Sequence, residues 1–398
     1  MGTELTARER YHAITHFKPG VRTLLWECGY WVEVVERWYR EGLRRTPFSI
    51  PPYQQRGVGV YGDANIHPAM PPKVRYRDAD IHNVMGFDAG CVQVPVYWRL
   101  YPLFPEVTLE EDDHTRLVRN ADGVTMRSRK DAGSLPRPEG WPVKDRASWE
   151  AIKAERLRLD QVEQRFPAGW NEVIATYRER DFPFGQVMDG FFAMPRELLG
   201  IYQQSVMYHD DPQLLMDIAA HLTELWLAML EIIVSKIDLD MVSFFEDMAF
   251  KNGPFISPAM FDRFCAPFYR RITGFLRAHG VDAIWVDTDG NCWSLIEKFL
   301  SAGVNGLWPM EAQAGMDVAQ VRKRFPDLLM VGGMNKMEIA KGRAAIDAEL
   351  EAKLPYLLSS GGYIPTFDHL VHPDVSWNDF CYYRQRVKEY VFKYQQGR

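Results

Sequence analysis

Short apolar runs alternate with longer amphipathic stretches along the second half of the chain. The apolar runs end in Gly, Asp, Pro or Glu, as strands do where they stop at a turn. Between them, apolar residues recur with the spacing of a helix that buries one face. This alternation predicts βα units around a parallel sheet. The predicted strands are Phe184–Met188, Met241–Phe245, Ala283–Val286, Val304–Trp308, Leu328–Val331 and Tyr363–Phe367.

Two more strand candidates lie upstream, at Thr23–Glu27 and within Val84–Val96. Eight strands, each followed by a helical pattern, are the number that closes a (β/α)8 barrel. The predicted fold is therefore α/β, a TIM barrel in which residues 1–398 form a single domain.

Two segments interrupt the predicted barrel near its N-terminal end. Residues 105–135 alternate with period two and contain an Asn-Ala-Asp-Gly turn, which predicts a β-hairpin insertion. Residues 47–73 are rich in Pro and Gly and carry no periodic pattern. We expect them to form a long loop over the barrel mouth, and loops of this length are usually either functional or disordered.

The composition of the chain limits the classes of partner that it can bind and the kind of protein that it can be. The chain has 47 basic and 53 acidic residues, a net charge of −6, so it lacks the basic field that nucleic acid or anionic membranes require. Its five cysteines are scattered without a Cys-x-x-Cys pair, which argues against a disulfide framework or a zinc finger. No secretory signal and no run of about 18 apolar residues is present, which predicts a cytoplasmic protein without a membrane span.

Polar residues with reactive side chains follow most of the predicted strands, where TIM barrels carry their active sites. Carboxylates dominate this set. The candidates for catalysis are Glu246, Asp287, Asp289, Lys336 and His369. The candidates for substrate binding are Glu27, Tyr30, Trp31, Asp189, Asp247, Asn291 and Glu311.

A metal site is one interpretation of these carboxylates. Asp287 and Asp289 lie two residues apart, which places their Cα atoms about 6–7 Å apart on the same side of an extended strand end. With Glu246 and His369 they form an oxygen-rich set with one imidazole, suited to Zn²⁺ or another divalent ion. The alternative is that Asp-x-Asp-Gly is a turn whose residues, Asp289 or Asn291, cap the helix that follows.

His369 and Lys336 have two interpretations each. His369 follows Asp368, and a neighbouring carboxylate can fix the tautomer of a histidine in acid–base or metal chemistry; a structural histidine is the alternative. Lys336 is placed to meet an anionic group, whereas the Gly-Gly before it also fits a tight turn between a strand and a helix.

Five strings carry a resemblance to a known family: TLLWECGYW, FFEDMAFKNGPFISPAMFDRFCAPFYRRI, DAIWVDTDGN, GVNGLWPMEAQAGMDVAQVRKRFPDLLMVGGMNK and GGYIPTFDHLVHPDVSWNDF. The chain resembles the uroporphyrinogen decarboxylase superfamily, most clearly from about residue 184 onward. The resemblance implies a (β/α)8 barrel. It also implies one of three activities found in that superfamily: porphyrinogen decarboxylation, zinc-dependent methyl transfer, or demethylation with a corrinoid protein.

Departures from the family patterns favour the methyltransferase branch. The porphyrinogen decarboxylases of this superfamily carry arginines just after the first strand. In this chain the matching stretch reads Trp26-Glu27-Cys28-Gly29 and has no arginine. The branch's His-x-Cys-Gly zinc motif matches Asp287-x-Asp289-Gly290, with His369 matching a third ligand. The resemblance thus implies changed ligands, Glu246, Asp287, Asp289 and His369, around zinc or another divalent metal.

The resulting hypothesis is a metal-dependent methyltransferase or demethylase that acts on a small methylated substrate. A corrinoid would be carried by a separate protein or used free, because the chain lacks the Asp-x-His-x-x-Gly motif of a cobalamin domain. One alternative is a metal-free decarboxylase or lyase for a porphyrinogen-like or other cyclic carboxylic acid. Another is a non-catalytic ligand-binding barrel, since a fold does not dictate a function. A homodimer is compatible with the resemblance.

Overall fold

The computed structural model describes residues 4–45, 79–130 and 136–395. The predicted mouth loop, 47–73, lies outside the described residues, as do the last five residues of the predicted hairpin insertion. The strands are β1 (Val92–Gln93), β2 (Val107–Glu111), β3 (Thr115–Arg119), β4 (Thr125–Arg129), β5 (Arg137–Gly140), β6 (Phe184–Asp189), β7 (Met241–Phe245), β8 (Ala249–Phe250), β9 (Gly253–Pro254), β10 (Ile284–Asp287), β11 (Gly306–Trp308), β12 (Leu329–Val331) and β13 (Tyr363–Ile364).

Helices follow most of the parallel strands and cover one face of the sheet. Short 3-10 turns at Leu159–Arg165, Trp293–Leu295 and Ala312–Ala314 supplement them. The α-helices are α1 (Ala7–Thr15), α2 (Val32–Glu41), α3 (Ala79–Met85), α4 (Arg146–Arg156), α5 (Trp170–Ala175), α6 (Ala193–Leu199), α7 (Ile201–Asp210), α8 (Pro212–Val234), α9 (Pro258–Phe264), α10 (Ala266–Ala278), α11 (Ile296–Ser301), α12 (Val318–Arg324), α13 (Lys336–Ile339), α14 (Arg343–Ser360) and α15 (Trp377–Gln395).

Seven parallel strands form the central sheet, in the order β1-β6-β7-β10-β11-β12-β13. Each overlaps a strand predicted from the sequence. The order follows the chain, as expected when each helix carries the chain to the next parallel strand. The register aligns the carboxyl ends of four strands, because Asp189 pairs with Phe245, Phe245 with Asp287, and Asp287 with Trp308.

The first predicted strand, Thr23–Glu27, is not a strand in the structure. The segment lies between the two edges of the sheet and contacts both: the Thr23 hydroxyl donates to the Tyr363 carbonyl (2.6 Å), and the Trp26 indole donates to the Ala89 carbonyl (3.0 Å). The Leu25 amide donates to the Asp88 carboxylate (2.7 Å). A side chain therefore accepts the hydrogen bond that the backbone of a neighbouring strand would accept in a sheet. Within the described residues the sheet thus has seven strands, and the closed eight-stranded barrel is not confirmed.

Apolar side chains pack on both faces of the sheet. Alternate strand residues, among them Trp285, Trp308 and Val331, form one buried cluster with Trp26 and with Tyr11 of α1. Their neighbours along the strands pack against the helices in a larger cluster, as the two-residue period of a strand requires. The sheet is therefore buried on both faces, which leaves the carboxyl ends of the strands as the place for polar chemistry.

A second sheet occupies the region of the predicted hairpin. Strands β2, β3, β4 and β5 form an antiparallel meander in that order, which extends to Gly140. Within the described residues it shares no strand pairing with the parallel sheet. No helix in the described parts of the chain has the length and apolar character needed to cross a membrane.

Candidate functional site

The carboxyl ends of β7 and β10 bring three carboxylates together. Asp247 and Asp289 are close enough for the Asp289 amide to point at Asp247 Oδ1 (3.5 Å). Burial raises the pKa of Asp287 well above its usual range, and the charges of Asp247 and Asp289 raise it further. Burial, then the charge of Asp289, raises the pKa of Asp247 to about 6. Asp287 itself makes no side-chain hydrogen bond or ion pair with any described residue, whereas the charges of Arg196 and His369 act on Asp247 and lower its pKa.

His369 completes one side of this cluster. Its Nε2 atom lies 3.2 Å from Asp289 Oδ2, and its ring lies 6.4 Å from that of Trp31. Burial alone would lower the pKa of His369, but the hydrogen bond to Asp289 and its charge outweigh burial, so the pKa is raised. The structure therefore brings together Asp247, Asp287, Asp289 and His369, and their chemical roles stay predictions.

Lys336 is paired with protein carboxylates. Its Nζ atom lies 3.4 Å from Glu311 Oε1 and 4.0 Å from Asp368 Oδ1, and Glu311 also accepts a hydrogen bond from the Gly290 amide (3.0 Å). Gly332, in the turn before it, has φ +106°, and a Cβ there would lie 1.7 Å from the Pro309 carbonyl oxygen. The Gly-Gly sequence is thus required by the tight turn, and the ammonium group is already neutralised.

Glu246 is fully buried and turned away from this cluster. Its Oε2 atom accepts hydrogen bonds from the Phe192 and Ala193 amides (3.0 and 2.7 Å), and its Oε1 atom accepts one from the Tyr269 hydroxyl. Because both carboxylate oxygens accept these hydrogen bonds, the Glu246 side chain fixes the start of α6 to the end of β7. Among the described residues, no three His, Cys, Asp or Glu side chains are grouped so that they could hold a metal ion. The predicted metal centre of Glu246, Asp287, Asp289 and His369 is therefore not assembled.

Gly190 lies against the side chain of Glu246, which leaves no space for a Cβ atom at this position. A Cβ at Gly190 would lie 2.1 Å from the Glu246 carboxyl carbon. We expect Gly190→Ala to lower the free energy of unfolding by about 1–3 kcal/mol, the usual cost of overpacking. Urea denaturation measures it. Gly274→Ala is the matched control, because that position in α10 has open space and alanine favours helix. Equal effects of the two substitutions would contradict the close approach.

Three residues predicted to bind substrate have other roles. Both Glu27 oxygens are buried and engaged, by the Arg384 guanidinium (3.0 Å) and the Phe367 amide (2.7 Å), which corrects the prediction that Glu27 contacts substrate. Tyr30 is buried among apolar side chains, with its ring 5.4 Å from that of Trp38. The Asn291 side chain accepts from the Trp293 amide (3.2 Å), two residues further along, at the turn before the 3-10 helix Trp293–Leu295.

Arg99 is a site residue that sequence reasoning missed. Its guanidinium forms two hydrogen bonds with Asp189 (2.8 and 2.6 Å) and a longer one with Asp122 (3.4 Å). Asp189, predicted to bind substrate, is thereby neutralised. Arg99 lies in an irregular segment with no periodic pattern, 90 residues before its partner, so no local signal points to this pair.

Backbone strain marks two of the strand ends. Asp247, after β7, has φ +44°, and Met310, after β11, has φ +59°. Side chains other than glycine adopt such values rarely and at a cost, and strained residues of this kind cluster at active sites and ligand clamps. Both lie at the edge that carries the carboxylates, which supports this edge as the candidate site.

Comparisons with known proteins give a family and a fold. The sequence profile of the uroporphyrinogen decarboxylase family matches residues 172–390. No curated protein sequence matches the chain. A solved methyltransferase from Methanosarcina mazei is similar with a TM-score of 0.60 and 15% identity, over 97% of this chain and 100% of that one. A putative vitamin-B12 independent methionine synthase from Listeria monocytogenes is similar with a TM-score of 0.32 and 12% identity, over 57% and 70% of the two chains. The first likeness shows a shared fold, and the second supports no argument.

Proposed function

Because the chain belongs to the uroporphyrinogen decarboxylase family, whose profile covers more than half of its 398 residues, we propose that it transfers a methyl group from a small substrate without acidic groups. The observation that carries this proposal is the Asp287 carboxylate, which is close enough to Asp247 and Asp289 to feel their charges and has no hydrogen-bond or ion-pair partner among the described residues. The fold shared with a methyltransferase supports the reaction class.

The charges at this edge disfavour a carboxylic acid substrate. Lys336 is paired with Glu311, Arg99 with Asp189, and Arg196 donates to the carbonyls of Glu246 and Asp247 (3.1 and 2.7 Å). Among the described residues, an added carboxylate would meet like charges at this edge, and the hydrogen-bonding groups of the nearby cations are already engaged by the protein. A decarboxylase or lyase for a cyclic acid therefore has less support than methyl transfer from an uncharged or cationic molecule.

Asp287 would act as the proton donor in this reaction. When the bond between the methyl carbon and its oxygen or nitrogen breaks, the methyl group goes to an external nucleophile and the electron pair stays on the leaving atom. That atom takes the proton of Asp287, whose raised pKa keeps it protonated closer to neutral pH. The His369–Asp289 pair holds a second proton beside it. The products are a methylated acceptor and a demethylated alcohol or amine.

The methyl acceptor is inferred from the family resemblance, and the role of a metal from the described residues. The family resemblance favours a reduced corrinoid as the nucleophile, supplied by a separate protein. The described residues do not fit the zinc centre predicted from the sequence, because Glu246 is committed to α6 and His369 to Asp289. We therefore assign activation of the leaving group to a proton. Elemental analysis checks this: one equivalent of zinc in the wild type, lost in Asp289→Ala, would contradict it.

The activity test compares three methylated probes with cob(I)alamin as acceptor. We expect demethylation of 2-methoxyphenol or trimethylamine, and none of 4-methoxybenzoate. Asp287→Asn is expected to lower kcat/KM by about 100-fold, in the range of a lost general acid. The control Asp160→Asn removes an exposed partner of Arg158 and should leave kcat/KM unchanged. Activity on the acid alone, or an unaffected Asp287→Asn, would refute the proposal.

A further inference from the structure

The amides on both sides of Asp289 are held by groups from neighbouring segments. The Thr288 amide donates to the Trp308 carbonyl (3.0 Å), a backbone acceptor that any sequence supplies. The Gly290 amide donates to the Glu311 Oε2 atom (3.0 Å), which belongs to a side chain that follows β11. At Gly290 the turn thus depends on a side chain, which a substitution can remove.

Burial alone does not fix the Asp289 carboxylate. The side chains of His369 and Asp289 are 29% and 38% exposed, and their closest atoms are 3.2 Å apart. A partly exposed ion pair loses side-chain entropy when it keeps one geometry, so a fixed backbone at Asp289 helps to keep its carboxylate against His369. Gly290 has φ +79°, and a Cβ there would lie 2.5 Å from the Ala249 carbonyl carbon, so the turn also packs closely on β8.

Glu311 is itself held in place. Its carbonyl oxygen accepts hydrogen bonds from the Ala314 and Met316 amides (3.0 and 3.2 Å). Its Oε1 atom lies 3.4 Å from Lys336 Nζ, and the two side chains of this pair are 23% and 14% exposed. Because both its backbone and its carboxylate are held, Glu311 presents the Oε2 atom to Gly290 in a fixed position.

The Asp368 carboxylate joins the segments that carry Glu311, Lys336 and His369. Its Oδ2 atom accepts a hydrogen bond from the Ala312 amide, and its Oδ1 atom accepts one from the Lys336 amide (both 3.1 Å). Asp368 is fully buried, and His369 is the next residue in the chain. The contacts close into a ring that runs through Asp289, His369, Asp368, Lys336, Glu311 and Gly290.

We propose that Glu311 is a positioning residue. Through the Gly290 amide it holds Asp289 against His369, and Lys336 keeps the Glu311 carboxylate in place. The proposal deepens the proposed function, on which it rests for the part that the Asp289–His369 pair plays in the reaction.

The contribution of Glu311 is one of position and not of charge. Burial lowers the pKa of His369 and the pair with Asp289 raises it, whereas the weaker effects of Lys336 and Glu311 act against each other. Glu311→Gln separates position from charge, because it removes the charge and keeps an oxygen that can accept from Gly290. The flexible Lys336 side chain can move away from the new amide NH2 group, and the Gly290 backbone cannot.

Hydrogen–deuterium exchange at the Gly290 amide, read by mass spectrometry on the full-length protein, tests this contact without any substrate. We expect Glu311→Ala to speed exchange about tenfold, because the amide loses a hydrogen bond worth about this factor. Glu311→Gln should stay within about threefold of the wild type, because the acceptor remains. The control Glu297→Ala, which removes an exposed partner of Arg324 on α11, should leave exchange unchanged.

Unchanged exchange in Glu311→Ala, or equal acceleration in Glu311→Gln, would overturn the proposal. Glu311→Met, which keeps the length of the side chain without an acceptor, repeats the test if Glu311→Ala does not fold.

Steady-state kinetics with cob(I)alamin and a demethylated probe measure the effect on the reaction. Glu311→Ala should lower kcat about tenfold and leave KM within about twofold, since a misplaced Asp289–His369 pair slows the reaction without weakening substrate binding. Glu311→Gln should restore most of kcat. Faster exchange with an unchanged kcat would overturn the positioning role. A raised KM at unchanged kcat would do the same and would support a substrate contact of Glu311 instead.

The two measurements keep this proposal apart from the proposed function. A wild type that demethylates no probe would refute the proposed function, and the exchange at Gly290 would still decide whether Glu311 holds the turn.

Discussion

Replacing Arg384 with methionine is expected to lower the free energy of unfolding by about 3–5 kcal/mol, the cost of leaving a buried charge without its partner. Arg384 donates to Glu27 Oε2 (3.0 Å) and to the Trp26 carbonyl (3.0 Å), and both side chains of the pair are buried. Even with Arg384 present, burial raises the pKa of Glu27. Without Arg384, Glu27 must take up a proton or remain buried and charged, and either course destabilises the fold.

Urea denaturation at neutral pH measures this loss, with Arg386→Met as the matched control. Arg386 lies two residues further along α15 and pairs with Asp347 and Glu389 at the surface, where an ion pair contributes about 0–1 kcal/mol. A loss in Arg384→Met no larger than that of the control would show that the buried pair does not hold the segment at Trp26 and Glu27 in place.

Replacing Glu246 with glutamine is expected to remove about 3 kcal/mol of pH-dependent stability, since one pKa unit corresponds to about 1.4 kcal/mol. Burial raises the pKa of Glu246 from 4.5 to about 7, against hydrogen bonds from Tyr269, Ala193 and Phe192 that lower it. Between these two pH values the folded protein keeps a proton that the unfolded chain loses. The stabilising contribution is therefore complete below about pH 4.5 and is lost as the pH rises to about 7.

Urea denaturation at pH 5 and pH 8 checks the sign. The stability difference between the wild type and Glu246→Gln should move by about 2.5 kcal/mol in favour of the variant at the higher pH, because pH 5 already lies above the pKa of the unfolded chain. Glu224→Gln, which removes a surface pair with Arg271, should change stability by less than about 1 kcal/mol at both pH values. A constant difference for Glu246→Gln would refute the raised pKa.

The strand pattern of the second half is predictable because each strand is a contiguous apolar run buried on both faces. The six predicted strands from Phe184–Met188 to Tyr363–Phe367 all overlap observed ones. Thr23–Glu27 has the same apolar pattern and is not a strand, since the Asp88 carboxylate binds the Leu25 amide. The spacing of apolar residues indicates which positions are buried. It does not indicate which group accepts the hydrogen bond of a backbone amide.

The site is only half predictable for a similar reason. Position at a strand end identifies Asp247, Asp287, Asp289 and His369, because parallel strands gather their carboxyl ends. It does not show which way a side chain turns, so Glu246 looks like a ligand and is a helix anchor. Partners that lie far away in the sequence also give no signal in the local sequence pattern. The distant partners that matter here are Tyr269 for Glu246, Arg384 for Glu27, and Arg99 for Asp189.

The segment between the two edges of the sheet has a consequence for synthesis on the ribosome. Its partners at Tyr363 and Phe367 lie 340 residues further along the chain. At about 5–20 residues per second, the ribosome needs about 20–70 seconds to add them. During that time Leu24 and Trp26, both buried in the finished fold, lack the sheet edge that covers them. The nascent chain therefore presents an apolar segment to the cell for nearly the whole of translation.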